Sequence, residues 1–157
     1  MTSREMTPEE RVAELGYTLP QPTPPVAAYV PTVRTGDLVF VSGQGPFRDG
    51  KMVSTGKVGG DVSIEEAQEA ARITCLNGLA ALKAEIGELS KMQRVVKLTV
   101  FVNSAPGFDQ QPAVGNGASE LLQDVFGEAG RHARSAVGMA ELPFGMSVEI
   151  EFVFEVA

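Results

Sequence analysis

The last segment of the chain constrains its fold most, because apolar and polar residues alternate from Met146 to Val156. Successive side chains of a strand point to opposite faces. Met146, Val148, Ile150, Phe152, Phe154 and Val156 therefore share one face, and Ser147, Glu149, Glu151, Val153 and Glu155 share the other. The first face requires a core. The second carries three carboxylates and a Val, so it is neither plainly solvated nor plainly buried. Just upstream lie Arg134-Ser135-Ala136-Val137 and Glu141-Leu142-Pro143-Phe144. A short Pro-containing turn between these segments would bring Arg134 beside Glu149. A fixed cation next to a carboxylate suits a small acidic substrate and a water.

The rest of the chain reads as alternating strand and helix signals. Thr7-Pro8-Glu9-Glu10 starts a helix, with Thr7 as N-cap and Glu10 completing a capping box, and Gly16 stops it. Leu19 to Pro25 holds four prolines and is an extended connector. Tyr29 to Arg34 and Leu38 to Ser42 read as a hairpin turning at Gly36-Asp37. Phe47 to Val58, with Asp49-Gly50 and Thr55-Gly56, is a short strand and loop. Asp61 or Ser63 caps a long helix whose apolar stripe is Ile64, Ala67, Ala71, Cys75, Gly78, Leu82 and Ile86, closed by Gly87. Gln93 to Asn103 is a strand with Val96, Leu98, Val100 and Val102 on one face and Val95, Lys97, Thr99 and Phe101 on the other. Pro112 to Phe126 is a second amphipathic helix, presenting Val114, Ala118, Leu121, Leu122 and Val125. Gly127 to Gly130 breaks it, and two strands finish the chain.

This order predicts an α+β fold: a single mixed sheet with two helices on one face. Residues 1–157 form one domain, with 1–27 as a helix and proline-rich extension and 28–157 as the core. Two helices cannot cover both sheet faces, and the uncovered face is partly apolar, so the chain is expected to self-associate.

Bulk properties narrow the function classes. Thirteen Lys and Arg against twenty Asp and Glu give a net charge of -7, and the basic residues form no stripe, which argues against a nucleic-acid partner. A lone Cys cannot make an internal disulfide and points to a reducing, cytoplasmic setting. Met1 to Arg11 is polar and charged, unlike a secretory leader, and no stretch has the length of a membrane span. Cys75 lies on the apolar stripe, so it reads as a core thiol. His132 has no second His or Cys to share a metal, so no metal site is expected. A Ser-His-Asp triad would have to use that same His, without a nucleophile elbow. Gly43-Gln44-Gly45 lacks the Lys-Ser or Lys-Thr of a phosphate-binding loop.

The motifs also carry a family resemblance. Ala133-Arg134-Ser135, Leu142-Pro143 and the final Val148-Glu149-Ile150-Glu151 strand resemble the signature of the YjgF/RidA family of reactive-intermediate deaminases, whose older labels include translation inhibitor and L-PSP endoribonuclease. Ala28-Tyr29-Val30 followed by Gly36-Asp37-Leu38-Val39-Phe40-Val41-Ser42-Gly43-Gln44 is similar to that family's opening hairpin, and the resemblance runs from about Tyr29 to Val156. It implies a chorismate-mutase-like homotrimer with sites in the clefts between subunits and no cofactor. It implies that Arg134 grips a substrate carboxylate and that Glu149 orients water and manages protons, with Glu151 as the competing carboxylate on the same face. Tyr29, Gly43 and Asn116 would supply a hydroxyl, a backbone carbonyl and an amide around the bound acid. Two positions depart from the family pattern: His132 stands where Pro is common, and Ala136 lines the site where Cys is common. The implied activity is hydrolysis of 2-imino or enamine acids to 2-keto acids and ammonia. The alternatives are a trimeric binder of small carboxylic acids without turnover and, with less physical support, an endoribonuclease.

Overall fold

The computed structural model describes residues 4–22, 24–25 and 27–157. The start of the chain, residue 23 of the proline-rich connector and residue 26 just after it lie outside the described residues. Pro8–Glu14 forms α1, with the Thr7 hydroxyl accepting from the Glu10 amide at 3.1 Å. The reciprocal half of the expected capping box is not made, because the Glu10 carboxylate is turned to Arg4. Five strands build the main sheet: β1 (Thr32–Thr35), β2 (Leu38–Gln44), β5 (Met92–Asn103), β6 (Ala133–Met139) and β7 (Val148–Val156). Their order is β1-β2-β7-β5-β6, and β5–β6 is a parallel pair within an otherwise antiparallel sheet. Phe47–Arg48 (β3) and Lys51–Met52 (β4) make a separate small hairpin.

Two helices, α2 (Ile64–Ile86) and α3 (Gln111–Phe126), cover one face of the sheet. Ser63 rather than Asp61 caps α2, and its capping box with Glu66 is complete. Every apolar residue on the first face of β7 is buried, as the alternation requires. Gly78 of α2 lies directly under Phe152, where an added Cβ would come within 2.4 Å of the ring. Gly117 of α3 approaches the backbone carbonyl of Gln68 so closely that a Cβ would sit 2.3 Å from it. These two contacts set how tightly α2 packs on the sheet and on α3.

Three further expectations change. Tyr29 lies in a bend before β1 rather than in a strand. The faces of Val95 and Val96 are exchanged: Val95 is fully buried opposite Phe154, because β5 is bulged between Val95 and Lys97. Burial on α2 is also far wider than one stripe and takes in Ile73, Leu76 and Ala80. The segment after α1 supplies the reason, since Tyr17 and Leu19 pack against the core cluster. Among the described residues no helix is long and apolar enough to cross a membrane.

Candidate functional site

The first half of the site is made by β2, β7 and the bend before β1. A register shift in β2 between Val41 and Gln44 bulges that strand. The bulge carries Gly43 against Glu149, and a Cβ on Gly43 would lie 2.1 Å from Glu149 Oε2. Only a glycine leaves room for the carboxylate there. The Ser42 hydroxyl donates to the Val30 carbonyl at 2.7 Å and ties the Tyr29 bend to β2. A cavity of about 80 Å³ results, lined by residues that include Tyr29, Gly43, Phe47, Phe144, Met146 and Glu149. Burial among these largely apolar walls pushes the Glu149 carboxyl above its ordinary range, and the neighbouring Glu151 charge pushes it further. No hydrogen-bond donor among the described residues compensates it. A carboxyl raised in this way gives up its proton less readily than an ordinary one and can both take and return a proton.

The second half is built by β6 and α3. Arg134 stands opposite Leu98 of β5, so its side chain leaves the sheet on the helix-covered side. One terminal nitrogen donates to Asn116 Oδ1 at 3.0 Å and to Ser119 Oγ at 3.1 Å, and the other donates to the Pro112 carbonyl at 3.2 Å. Gly115 makes space for this arrangement, since a Cβ there would lie 2.9 Å from the guanidinium. All three acceptors are neutral. Among the described residues no carboxylate pairs with Arg134 within 4.0 Å. A guanidinium held in place without a counter-ion is ready for an anionic ligand. Ala136 is half-buried two residues along the same strand, opposite Val100.

Ser119 and His132 support Arg134 in a way the sequence reading did not anticipate. His132 Nδ1 lies 2.7 Å from the Gly130 carbonyl, which can only accept, so Nδ1 carries the proton. Nε2 then accepts from the Ser119 hydroxyl at 2.9 Å, which turns the hydroxyl's free lone pairs towards Arg134. Burial holds this imidazole below its ordinary range; the Gly130 carbonyl opposes that shift and the Arg134 charge adds to it. A signal for Ser119 was available: it follows Asn116 by three residues on a helix, so both face the same neighbour.

The structure therefore brings together Tyr29, Gly43 and Glu149, and separately Arg134 and Asn116, with Ala136 beside Arg134. The expectation that a turn places Arg134 beside Glu149 is corrected. Strand β5 intervenes between β6 and β7, and Glu149, aligned through Phe101 with Val137, faces the opposite side of the sheet from Arg134. Two strand spacings alone put about 10 Å between the two backbones. Cys75 is fully buried in the core, where burial pushes its thiol far above the ordinary range. Among the described residues no three His, Cys, Asp or Glu side chains group in a way that could hold a metal.

A mixed sheet with both helices on one side, an uncompensated Arg on its edge and a shielded carboxylate on its far face define the class of protein. The chain belongs to the YjgF family: the model described as "YjgF/chorismate mutase-like, putative endoribonuclease" matches residues 9–155. That match begins within α1, earlier than the resemblance read from the motifs. The chain is 46% identical over 142 residues to Protein TCP17 of Trypanosoma cruzi, spanning 90% of this chain and 89% of that protein. It is 33% identical over 129 residues to a 2-iminobutanoate/2-iminopropanoate deaminase of Dermatophagoides farinae, spanning 82% and 86%. Among solved structures, Atu1372 of Agrobacterium tumefaciens, a protein of unknown function, matches with a TM-score of 0.90 and 51% identity over 96% of this chain and 94% of that one.

Proposed function

We propose that this protein hydrolyses 2-imino acids, or their enamine tautomers, to 2-keto acids and ammonia, in a cleft completed by a second copy of the chain within a homotrimer. The observation that carries this reading is the pairing of unlike half-sites. An Arg134 guanidinium fixed by neutral acceptors and lacking a counter-ion supports carboxylate binding. A Glu149 carboxyl raised by burial supports proton transfer. Because the two face opposite sides of one sheet, a site that uses both needs two subunits. Val33, Phe40 and Val137 are exposed, and pairing across the strands puts Val137 in line with Phe101 and Glu149, and Phe40 in line with Val153. A partly apolar sheet face of this kind favours association.

In this reading Arg134 holds the substrate carboxylate while Asn116 keeps the guanidinium oriented. Glu149 as carboxylate takes a proton from water as the water oxygen bonds to C2 of the C=N group, and the nitrogen gains a proton from solvent. The carbinolamine then collapses: Glu149 returns its proton to the amine nitrogen, the C–N bond breaks, the hydroxyl proton passes to solvent as C2 becomes the keto carbon, and ammonia leaves. The Gly43 carbonyl orients water and ammonia, and Tyr29 closes the pocket. Water and imine are consumed in equal number, and no redox step or cofactor is needed. Holding water and imine in reactive geometry supplies much of the acceleration.

The test uses 2-iminobutanoate generated in situ by a dehydratase. Arg134→Ala should weaken binding of 2-oxobutanoate at least about tenfold, since a charge-assisted hydrogen bond is worth roughly 1.5–3 kcal/mol. Glu149→Gln should spare that binding and slow hydrolysis. Co-expressing the Arg134→Ala and Glu149→Gln chains should restore activity in mixed oligomers, because some clefts then hold both intact groups. No restoration would remove the shared cleft, and acid binding by a parent that fails to hydrolyse imines would leave a binding protein.

A further inference from the structure

The cavity beside Glu149 is more elaborate than proton transfer requires. Its floor is fixed from α2, where Asn77, 2% exposed, donates its amide to the Gly45 and Phe47 carbonyls at 2.9 Å each. Gly45 lets Met146 and Phe47 lie close over the backbone, since a Cβ there would come within 2.6 Å of the Met146 sulfur. Pro24 and Pro25, from the proline-rich connector, add a further wall. Glu149 is the one charged side chain among the lining residues described.

The rim is the most unusual part. Phe144 is 68% exposed and has φ 59 and ψ 14, a left-handed conformation that costs a non-glycine residue energy. Such a conformation persists only where its surroundings impose it, and here they do. The Gly56 amide donates to the Gly145 carbonyl at 2.9 Å, and the buried Asn103 amide donates to the Met146 carbonyl at 3.2 Å. The Ser54 and Ser147 hydroxyls meet at 2.7 Å just below the turn. A large apolar side chain is thus held at the mouth of the cavity by a turn pinned from two other segments.

We infer that this cavity receives the substrate's own side chain, that the preferred substrates are 2-imino acids with apolar side chains larger than ethyl, and that Phe144 is a specificity-determining residue. This inference rests on the imine-hydrolase reading for its reaction but has its own observations. Aromatic, thioether and proline walls reward apolar surface. An anionic side chain would lose its hydration there without gaining a partner and would face Glu149.

The experiment compares imines made in situ from alanine, 2-aminobutyrate, leucine and phenylalanine by an added L-amino-acid oxidase, with keto-acid release followed against an enzyme-free control. An apolar pocket discriminates by roughly tenfold or more per methylene. The parent should show kcat/KM for the leucine and phenylalanine imines at least about tenfold above that for the alanine imine. Phe144→Ala and Phe144→Gly should both shrink that ratio several-fold, by lowering kcat/KM for the leucine and phenylalanine imines. Because glycine tolerates the left-handed turn, agreement between the two variants assigns the effect to the ring. A flat profile for the parent would sink the pocket and spare the reaction. So would variants that slow every imine alike, or that change the oligomeric state in light scattering, since the ring would then serve the fold or a subunit contact. If the parent hydrolyses no imine, the reaction falls first. Calorimetry of 4-methyl-2-oxopentanoate against pyruvate then decides the pocket alone: tighter binding of the larger acid, lost in Phe144→Gly, upholds it, and equal binding ends it.

Discussion

The Arg134 half and the Glu149 half of this molecule solve opposite electrostatic problems. Arg134 lies on an edge strand, its charge permanent and its donors engaged by Asn116, Ser119 and Pro112. Glu149 lies on a central strand against apolar walls, where no donor among the described residues stabilises its charge. The first environment orients a cation through neutral acceptors, and the second raises a carboxyl by burial and a neighbouring charge. In both halves a glycine gives the charged group its room, Gly115 for Arg134 and Gly43 for Glu149. On the proposed function, binding and proton transfer fall to different faces of the same sheet, and each should be open to disturbance without the other.

The sharpest way to break this comparison is to fill those glycines. A Cβ at either position collides with the end of a flexible side chain rather than with backbone. The fold should therefore tolerate Gly43→Ala and Gly115→Ala, with cooperative melting retained in both. Function should not. Gly43→Ala displaces the Glu149 carboxylate, and misplacing a catalytic group by about 1 Å can cost on the order of a hundredfold in rate. Turnover should fall accordingly while keto-acid affinity holds. Gly115→Ala should do the reverse, weakening 2-oxobutanoate binding through Arg134. Calorimetry beside the imine assay reads both, and a variant that lost binding and turnover together would merge the two halves into one.

A smaller effect tests the Glu149 side alone. Burial and Glu151 both raise its carboxyl, so the acid limb of kcat should lie above the ordinary carboxylate range. Glu151→Gln removes the second cause and should move that limb to lower pH, leaving affinity at Arg134 unchanged. The same shift acts on stability. Between the unfolded value and the higher folded one the native state holds the extra proton, so this group's contribution to stability falls as pH rises through that window. Glu149→Gln should therefore melt no lower than the parent above that window. An acid limb that ignores Glu151→Gln would remove Glu149 as the titrating group.

The smallest effect belongs to neither half. Cys75 packs in the core with its Sγ 4.0 Å from the Ala118 carbonyl. Cys75→Ala should cost about 1 kcal/mol of stability in denaturant melts and nothing in turnover. Chelators should likewise leave imine hydrolysis unchanged. Loss of activity in either experiment would overturn the proposed mechanism.

Much of this was legible in the residues. The faces of β7, the stripe of α3 and a cap at Asp61 or Ser63 follow from local periodicity and local hydrogen bonding, which a one-dimensional pattern records. Arg134 and Glu149 were also singled out, by charge placement and motif. Other features were not legible. The bulge that buries Val95 changes the strand period by one residue, and only the partner Phe154 reveals it. The broad burial of α2 depends on a proline-rich segment far away in sequence packing over it. The roles of Ser119 and His132 depend on α3 and β6 meeting at hydrogen-bond distance.

By itself the sequence determined which way the side chains of β7 and of the α3 stripe face, because facing there is set by an unbroken backbone period and needs only neighbours along the chain. It also determined the chemical types available: one cation on the Ala-Arg-Ser segment and a carboxylate row on the last strand. The tertiary structure alone decided which strands lie side by side. Helix α3 returns β6 to the edge of β5 in parallel, so β7 pairs with β5 and β2 instead of with β6. Strand order depends on how crossover helices cover a shared core, a sum over distant contacts that no local pattern encodes. That order placed Arg134 and Glu149 on opposite faces of one sheet.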